Sequence, residues 1–299
     1  MRHGVTIAGT PTSPGHCPDL PTRATRVAVA MTMIGALGVV GALVSAPAAS
    51  AATPTWSTQA SYVAAASSFF WVSCPSPSTC FAVGANAVGG PALFETTDGG
   101  TSWVNDSESP QAGFSGSSAL DAVSCTSASA CQVVGYTSLG TVGVALAWNG
   151  TSWASEPLPS GVNTVYAVSC PTAGACQAVG RSSSGAVGLS FDGTSWTSES
   201  LPSGVGQLYG VSCASATACQ AVGNSSSGAG GLLALSFDGT SWRSEPMPYE
   251  VGHLNTVSCA SATACQAVGY TSSGAVALSF DGTSWASEAL PMGFIYLTP

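Results

Sequence analysis

Leu208-Tyr-Gly-Val-Ser-Cys-Ala-Ser-Ala-Thr-Ala-Cys-Gln-Ala-Val-Gly223, then after a Ser/Gly stretch Leu232-Leu-Ala-Leu-Ser-Phe-Asp-Gly-Thr-Ser-Trp-Arg-Ser-Glu245, contains one whole structural unit. Leu208 to Cys213 reads as a short strand, A, and Ala214 to Ala218 turns the chain. Cys219 to Gly223 returns as strand B, and Asn224 to Gly230 is a loop. Leu232 to Phe237 is strand C, closed by Asp238-Gly239, a hairpin signal because both residues tolerate positive φ. Trp242 to Glu245 is strand D. Four short strands with no helical periodicity match one blade of a β-propeller.

The unit recurs. Val-Ser-Cys, five residues and a second cysteine, followed downstream by (Asp/Asn)-Gly-Thr-Ser-Trp or a close variant, occur five times, with first cysteines at 74, 125, 170, 213 and 259. A tandem unit of 43 to 51 residues defines a repeat architecture. The expectation is an all-β propeller of five four-stranded blades over residues 52–291. A β-solenoid has shorter rungs, and a lone unit of this length with one short-range disulfide would hardly fold by itself.

The cysteine pairs are Cys74/Cys80, Cys125/Cys131, Cys170/Cys176, Cys213/Cys219 and Cys259/Cys265, each placed to bridge the tip of an A–B hairpin. In the chain-entropy model so short a loop contributes about 2 kcal/mol per bridge. Such bridges staple each blade and do not tie one blade to another. Cys17, the eleventh cysteine, lies in a different kind of sequence. Arg2, Arg23 and Arg26 precede an uncharged run from Val27 to Val44, and Ala49-Ser50-Ala51 is a small-x-small cleavage signal. Residues 1–51 therefore read as a secretory signal peptide cut near Ala51, the alternative being an uncleaved anchor. No later segment is long and apolar enough to span a bilayer. Export and evenly paired cysteines together imply disulfides and a secreted, extracellular protein.

Loss of the leader would move the net charge from −9 to near −11, leaving Arg181 and Arg243 as the only cationic side chains besides histidine. There is no lysine. Such a surface repels nucleic acid and anionic lipid, so neither is an expected partner. A monomer is expected.

Thr96-Thr-Asp98-Gly-Gly100-Thr-Ser102-Trp103 resembles the Asp-box of sialidase-like (BNR) propellers. The other four turns, from Asn149, Asp192, Asp238 and Asp281, are one residue shorter. Over roughly residues 55–291 the unit resembles the cysteine-paired propeller repeats of secreted actinobacterial proteins. The resemblance implies the fold, and it implies that the Asp-box is structural and lies away from any active site. A sialidase would need three clustered arginines, which Arg181 and Arg243 cannot supply.

Little in the chain suggests catalysis. His253 is the one histidine after the leader, expected in a D–A loop at the surface, with no nucleophile elbow nearby. No metal site and no cofactor are expected, because the cysteines are paired and each Asp-Gly turn offers one carboxylate. Glu156, Glu199, Glu245 and Glu288 follow each tryptophan by three residues and read as rim charges that protect the outer edge strands. Gln132, Gln177, Gln220 and Gln266 are expected to bond from blade to blade.

Two variable columns carry more information. Four residues before each first cysteine stand Phe70, Asp121, Tyr166, Tyr209 and Asn255. Five after each second cysteine stand Ala85, Tyr136, Arg181, Asn224 and Tyr270. Both columns should reach the rim formed by the D–A and B–C loops, with the repeated hairpins on the opposite face. Tyr136, Tyr166, Arg181, Tyr209, Asn224, Asn255 and Tyr270 are the candidate ligand-binding residues, suited to a glycan or cell-envelope component. The alternative is an extracellular scaffold that holds a protein partner, and a glycoside hydrolase is a distant third. Thr55 to Thr58 resembles a strand D, and residues 292–299 read as a C-terminal tail or a truncated next strand. Five blades closing with the N-terminal strand in the last one are favoured over a truncated relative of a larger ring.

Overall fold

The computed structural model describes residues 68–106, 117–137, 141–226, 230–248 and 252–290. The leader, Thr55 to Thr58 and residues 292–299 lie outside them. Five antiparallel sheets of four strands follow one another along the chain. The first blade is β1 (Ser68–Ser73), β2 (Cys80–Ala85), β3 (Pro91–Thr96) and β4 (Val104–Asn105). The second is β5 (Ala119–Ser127), β6 (Ala130–Thr137), β7 (Val142–Trp148) and β8 (Trp153–Glu156). The third is β9 (Val162–Thr172), β10 (Ala175–Ser182), β11 (Gly185–Phe191) and β12 (Trp196–Glu199). The fourth is β13 (Val205–Ser215), β14 (Ala218–Ser225), β15 (Leu232–Phe237) and β16 (Trp242–Ser244). The fifth is β17 (Gly252–Ser261), β18 (Ala264–Thr271), β19 (Gly274–Phe280) and β20 (Trp285–Ser287).

The architecture is a β-propeller of five blades with one disulfide in each. Strand C of the fourth blade runs from Leu232 to Phe237, as the sequence indicates. Strand A is longer than expected, because Val205 and Gln207 already pair with Ser225 and Asn224. The shorter turns close through one device. Asp192 Oδ1 accepts from the backbone N–H groups of Thr194 and Ser195 at 2.9 and 2.8 Å, while Gly193 takes φ 91°. Asp238 and Asp281 do the same.

These hydrogen bonds favour the ionised carboxylates, and Asp192, Asp238 and Asp281 are held at about 2, with the threonine hydroxyl of each turn the largest cause. A lowered carboxyl contributes stability that is present above its unfolded value and is lost as pH falls towards 2. The contribution of these three turns to thermal melts should therefore be constant from pH 7 to 5 and be lost between pH 4 and 2. Changing all three to Asn, which already serves in the Asn149 turn, should flatten that acid limb. An unchanged acid limb would show that other groups set it.

Adjacent blades are joined by an apolar seam and a repeated backbone hydrogen bond, and the first four blades also by a tryptophan hydrogen bond at the outer edge. The backbone N–H of Cys125 donates to Ser73 Oγ at 3.0 Å, and Cys170 to Ser124, Cys213 to Ser169 and Cys259 to Ser212 follow suit. At the outer edge, Trp196 Nε1 donates to Glu156 Oε2 at 2.8 Å and Trp242 Nε1 to Glu199 Oε2 at 2.5 Å. Trp153 uses Asp106 in the same way at 2.7 Å. Between them, Val179 of one blade packs with Leu208 and Val211 of the next.

Three expectations are corrected here. Gln132, Gln177 and Gln266 bond Glu156, Glu199 and Glu288 of their own blade, not a neighbour. In turn Glu156 and Glu199 are not mere rim charges; each is half-buried and anchors the tryptophan of the following blade. The physical reason is shared: a buried indole N–H calls for an acceptor, and the carboxylate three residues past the previous tryptophan supplies it to Trp153, Trp196 and Trp242, while Trp285 Nε1 in the fifth blade is buried without a partner.

The third correction concerns where the bridges sit. The pairing itself is as expected, Cys259 to Cys265 in the fifth blade and its equivalents in the other four. In the second to fifth blades the bridge is not at the tip of the hairpin, however, whereas in the first no pairing runs past it. Strands β17 and β18 run on past it, with Ser261 pairing Ala264, so Cys259 and Cys265 face each other inside the ladder. Cys265 is buried and packs with Val257, Phe280 and Trp285, as Cys131, Cys176 and Cys219 pack in their own blades. The second cysteine of each of these pairs is thus a core residue as well as half of a staple. The reason is the strand period of two, which turns it towards the same side as the buried residue two positions on, Ala267 in the fifth blade.

Among the described residues the seam stops at the first and fifth blades. Val72 is 56% exposed, whereas its equivalents Val123, Val168, Val211 and Val257 are 1 to 5% exposed. Val268 is 46% exposed, whereas Val83, Val134, Val179 and Val222 are fully buried. Among the described residues no packing comparable to that between consecutive blades joins the fifth to the first.

Candidate functional site

Every inner strand carries a β-bulge at the same place. Leu208 pairs with Gly223 and Gly210 with Val222, so Tyr209 is the extra residue. Phe70, Asp121, Tyr166 and Asn255 are passed over in the same way in the other blades. The variable column is thus a ring of bulge residues. A bulge re-aims the side chain of its extra residue out of the regular ladder.

The repeat encodes the bulge through glycine. Gly84, Gly135, Gly180, Gly223 and Gly269 stand on strand B opposite it, and a Cβ at any of them would fall on a strand A carbonyl oxygen, that of Gln207 in the case of Gly223. The backbone approach that forms the bulge therefore demands the Gly of Cys-x-Ala/Val-Val-Gly.

The second column lies alongside. Tyr136, Arg181, Asn224 and Tyr270 pair with Ala119, Thr164, Gln207 and His253 at the opening of the inner strands. Both columns therefore reach the same end of the blades. The disulfides lie at the other end, where Cys125 pairs with Cys131 and Cys259 with Cys265.

In three consecutive blades the rings touch. Tyr166 and Tyr209 have centroids 5.9 Å apart, Tyr209 and His253 5.6 Å, and His253 and Tyr270 3.7 Å. Tyr209 donates its hydroxyl to Gln207 Oε1 at 2.5 Å, which fixes the ring. Burial raises the Tyr209 phenol, with Tyr166 and Tyr270 adding to it. Burial also lowers His253, which favours the neutral imidazole.

Of the seven candidate residues, the structure brings Tyr166, Tyr209 and Tyr270 together through His253. Asn255 occupies its bulge and is exposed. Arg181 is exposed at the end of β10, and Asn224 has a buried Oδ1 with no partner. No ring contact joins Tyr136 to the cluster among the described residues. The expectation for His253 is corrected: it lies on β17, not in a loop, between two tyrosine rings. The signal that marks it is a third variable column six residues before the cysteine, Ser68, Ala119, Thr164, Gln207 and His253.

Asp121 belongs to the ring and is not among the candidates. Its Oδ2 is buried without a hydrogen-bond partner, and desolvation pushes its carboxyl up to about 7. Glu95 on β3 is also raised, by burial first and then by Asp106. Asp106 already accepts from Trp153 in the second blade, which assigns this pair to the blade junction. Among the described residues no group of three or more His, Cys, Asp or Glu could hold a metal ion, and no helix is long and apolar enough to cross a membrane.

The Asp98 turn is closed by its own side-chain hydrogen bonds. Oδ1 accepts from Ser102 N–H at 2.9 Å, Oδ2 from its hydroxyl at 2.7 Å, and the carboxyl is held at about 2, chiefly by those bonds and Thr96. It is a turn lock at the C–D end, away from the bulge ring.

No protein-family model matches the chain, and no curated protein matches it. Solved β-propellers do. The six-bladed fucose-recognising lectin of the fungus Aleuria aurantia is 13% identical over 76% of this chain and 81% of that one, with TM-score 0.50. An ancestral GH74 enzyme is 12% identical over 73% of this chain and 32% of that one, with TM-score 0.53. YCF48 bound to a D1 peptide is 16% identical over 74% of this chain and 68% of that one, with TM-score 0.49. At such identities the likeness shows the fold alone, and this fold hosts unrelated activities.

Proposed function

We propose that this chain is a secreted, non-catalytic binding module that recognises a glycan or cell-envelope component through the face carrying the bulge ring. The observation that carries the reading is the run of ring contacts through Tyr166, Tyr209, His253 and Tyr270. Four rings from consecutive blades offer apolar faces for a sugar's C–H surface, with phenol, imidazole and amide groups at their edges to orient hydroxyls. The Asn255 bulge beside them adds an exposed amide. The five intra-blade disulfides suit an oxidising, extracellular setting.

The catalytic reading is weaker for a physical reason. Glu156 and Glu199 anchor tryptophans, and Asp121 has no carboxylate partner in the ring, so the pair that glycoside hydrolysis requires is not supplied there. An extracellular scaffold for a protein partner would use the same aromatic face and is the second reading.

A glycan-array screen of residues 52–299, fucosides included, separates the two. The expected result is binding to a restricted set of glycans, lost in the Tyr166→Ala/Tyr209→Ala double variant. No binding by the folded, fully oxidised protein would reject the glycan reading and leave the protein scaffold.

A further inference from the structure

The bare side of the fifth blade has the same composition as four buried surfaces in the same molecule. Val268 sits where Val83, Val134, Val179 and Val222 are fully covered by the next blade. Gln266 and Glu288 are exposed where Gln132 and Gln177 are buried and Glu156 and Glu199 half-buried. Leu290 is 39% exposed, although Leu158, Leu201 and Met247 at its position in earlier units pack into the seams ahead of them. What covers the earlier blades is always the chain that follows directly. After Leu201, Val205 and Leu208 pack with Val179; after Leu158, Val162 and Val165 pack with Val134.

The sequence after Leu290 keeps this register. Leu290-Pro-Met-Gly-Phe-Ile-Tyr-Leu297 aligns without a gap on Leu201-Pro-Ser-Gly-Val-Gly-Gln-Leu208. Gly293 stands at the place of Gly161 and Gly204, which turn the earlier connections at φ 84° and 87°. Phe294 and Leu297 stand at the places of Val205 and Leu208, and no side chain in residues 291–299 is charged. We propose that residues 291–299 are the occupant of the bare side of the fifth blade, with Phe294 and Leu297 against Val268 as Val205 and Leu208 are against Val179. The seam then runs one step beyond the last complete blade, and an apolar surface that would invite association is covered from within the chain.

The test is thiol accessibility at position 268. A Val268→Cys substitution is made in the full chain, in a chain ending at residue 290, and in a full-length Phe294→Asp/Leu297→Asp variant. Maleimide labelling of the introduced thiol should be about tenfold faster in the last two, as expected when a local cover is removed. Light scattering should show that the full chain is a monomer at the labelling concentration. Hydrogen exchange of β18 in chains that keep Val268 repeats the comparison without the new thiol, and protection should fall on shortening. Equal labelling and equal exchange in all chains would overturn the proposal. So would protection that appears only on self-association, which would make a second copy the occupant.

Discussion

Gly223→Ala is expected to destabilise the protein by about 4 kcal/mol or more, at the extreme of single substitutions. The added Cβ would fall on the carbonyl oxygen of Gln207 and crowd the Cα of Leu208. Neither can retreat, because Leu208 is fully buried in the seam between the third and fourth blades. Relief requires undoing the bulge, which slips the register of β13 and moves Leu208 and Val211 out of that seam. For a domain of this size such a loss lowers Tm by roughly 10 °C. Gly174→Ala is the control, since a Cβ there meets nothing within 4 Å, and its melt should match the parent. Equal melts for the two variants would show that the glycine does not hold the bulge.

Asp121→Asn should have the opposite sign at neutral pH. The folded carboxyl is held at about 7 by desolvation, against an ordinary value of 3.8. Between those values the folded chain keeps a proton that the unfolded chain has released. Stability contributed at low pH is therefore lost as pH rises from about 4 to about 7. At 1.36 kcal/mol per pKa unit the ceiling is about 4 kcal/mol, and the buried amide of Asn offsets part of it, leaving a gain of about 2 kcal/mol at pH 8. Tm should rise by roughly 4 to 8 °C at pH 8 and hardly change at pH 4. A lower Tm at pH 8 would mean that the carboxylate has a stabilising partner. A side chain kept at such a cost, on the same ring as Tyr166 and Tyr209, fits a binding role, because perturbed carboxyls concentrate at functional sites.

Local chemistry is what the sequence displays best. Asp-Gly turns, paired cysteines and the Leu-Leu-Ala-Leu-Ser-Phe run define strands whatever surrounds them, and the fivefold repetition removes the remaining ambiguity. The candidate site is half legible. Tyr166, Tyr209 and Tyr270 stand out as variable positions in an otherwise repeated frame. The bulge does not, because one extra residue on strand A is visible only against the register of strand B; alone, the glycine opposite it reads as a strand terminus. The burial of Cys265 is hidden for a related reason, since Cys-x5-Cys spacing gives the pairing but not how far the two strands continue beyond it. Gln177 and Glu199 are misplaced by spacing because their partners lie on different blades from those it suggests. Glu199 reaches Trp242, 43 residues away, and Gln177 turns inward to Glu199. His253 is marked in the sequence only by a third variable column, because its proximity to Tyr209 arises only when the blades stand side by side.

The claim that the bulge ring is the binding face is tested most directly by titration calorimetry with the strongest glycan from the array. Three proteins suffice: the parent, Tyr209→Ala, and Thr217→Ala on the exposed hairpin of the opposite face. The account predicts at least about a tenfold loss of affinity for Tyr209→Ala, the size of effect expected from removing one stacked aromatic ring, and none for Thr217→Ala. Unchanged affinity in Tyr209→Ala with a loss in Thr217→Ala would move the site to the disulfide face and contradict it.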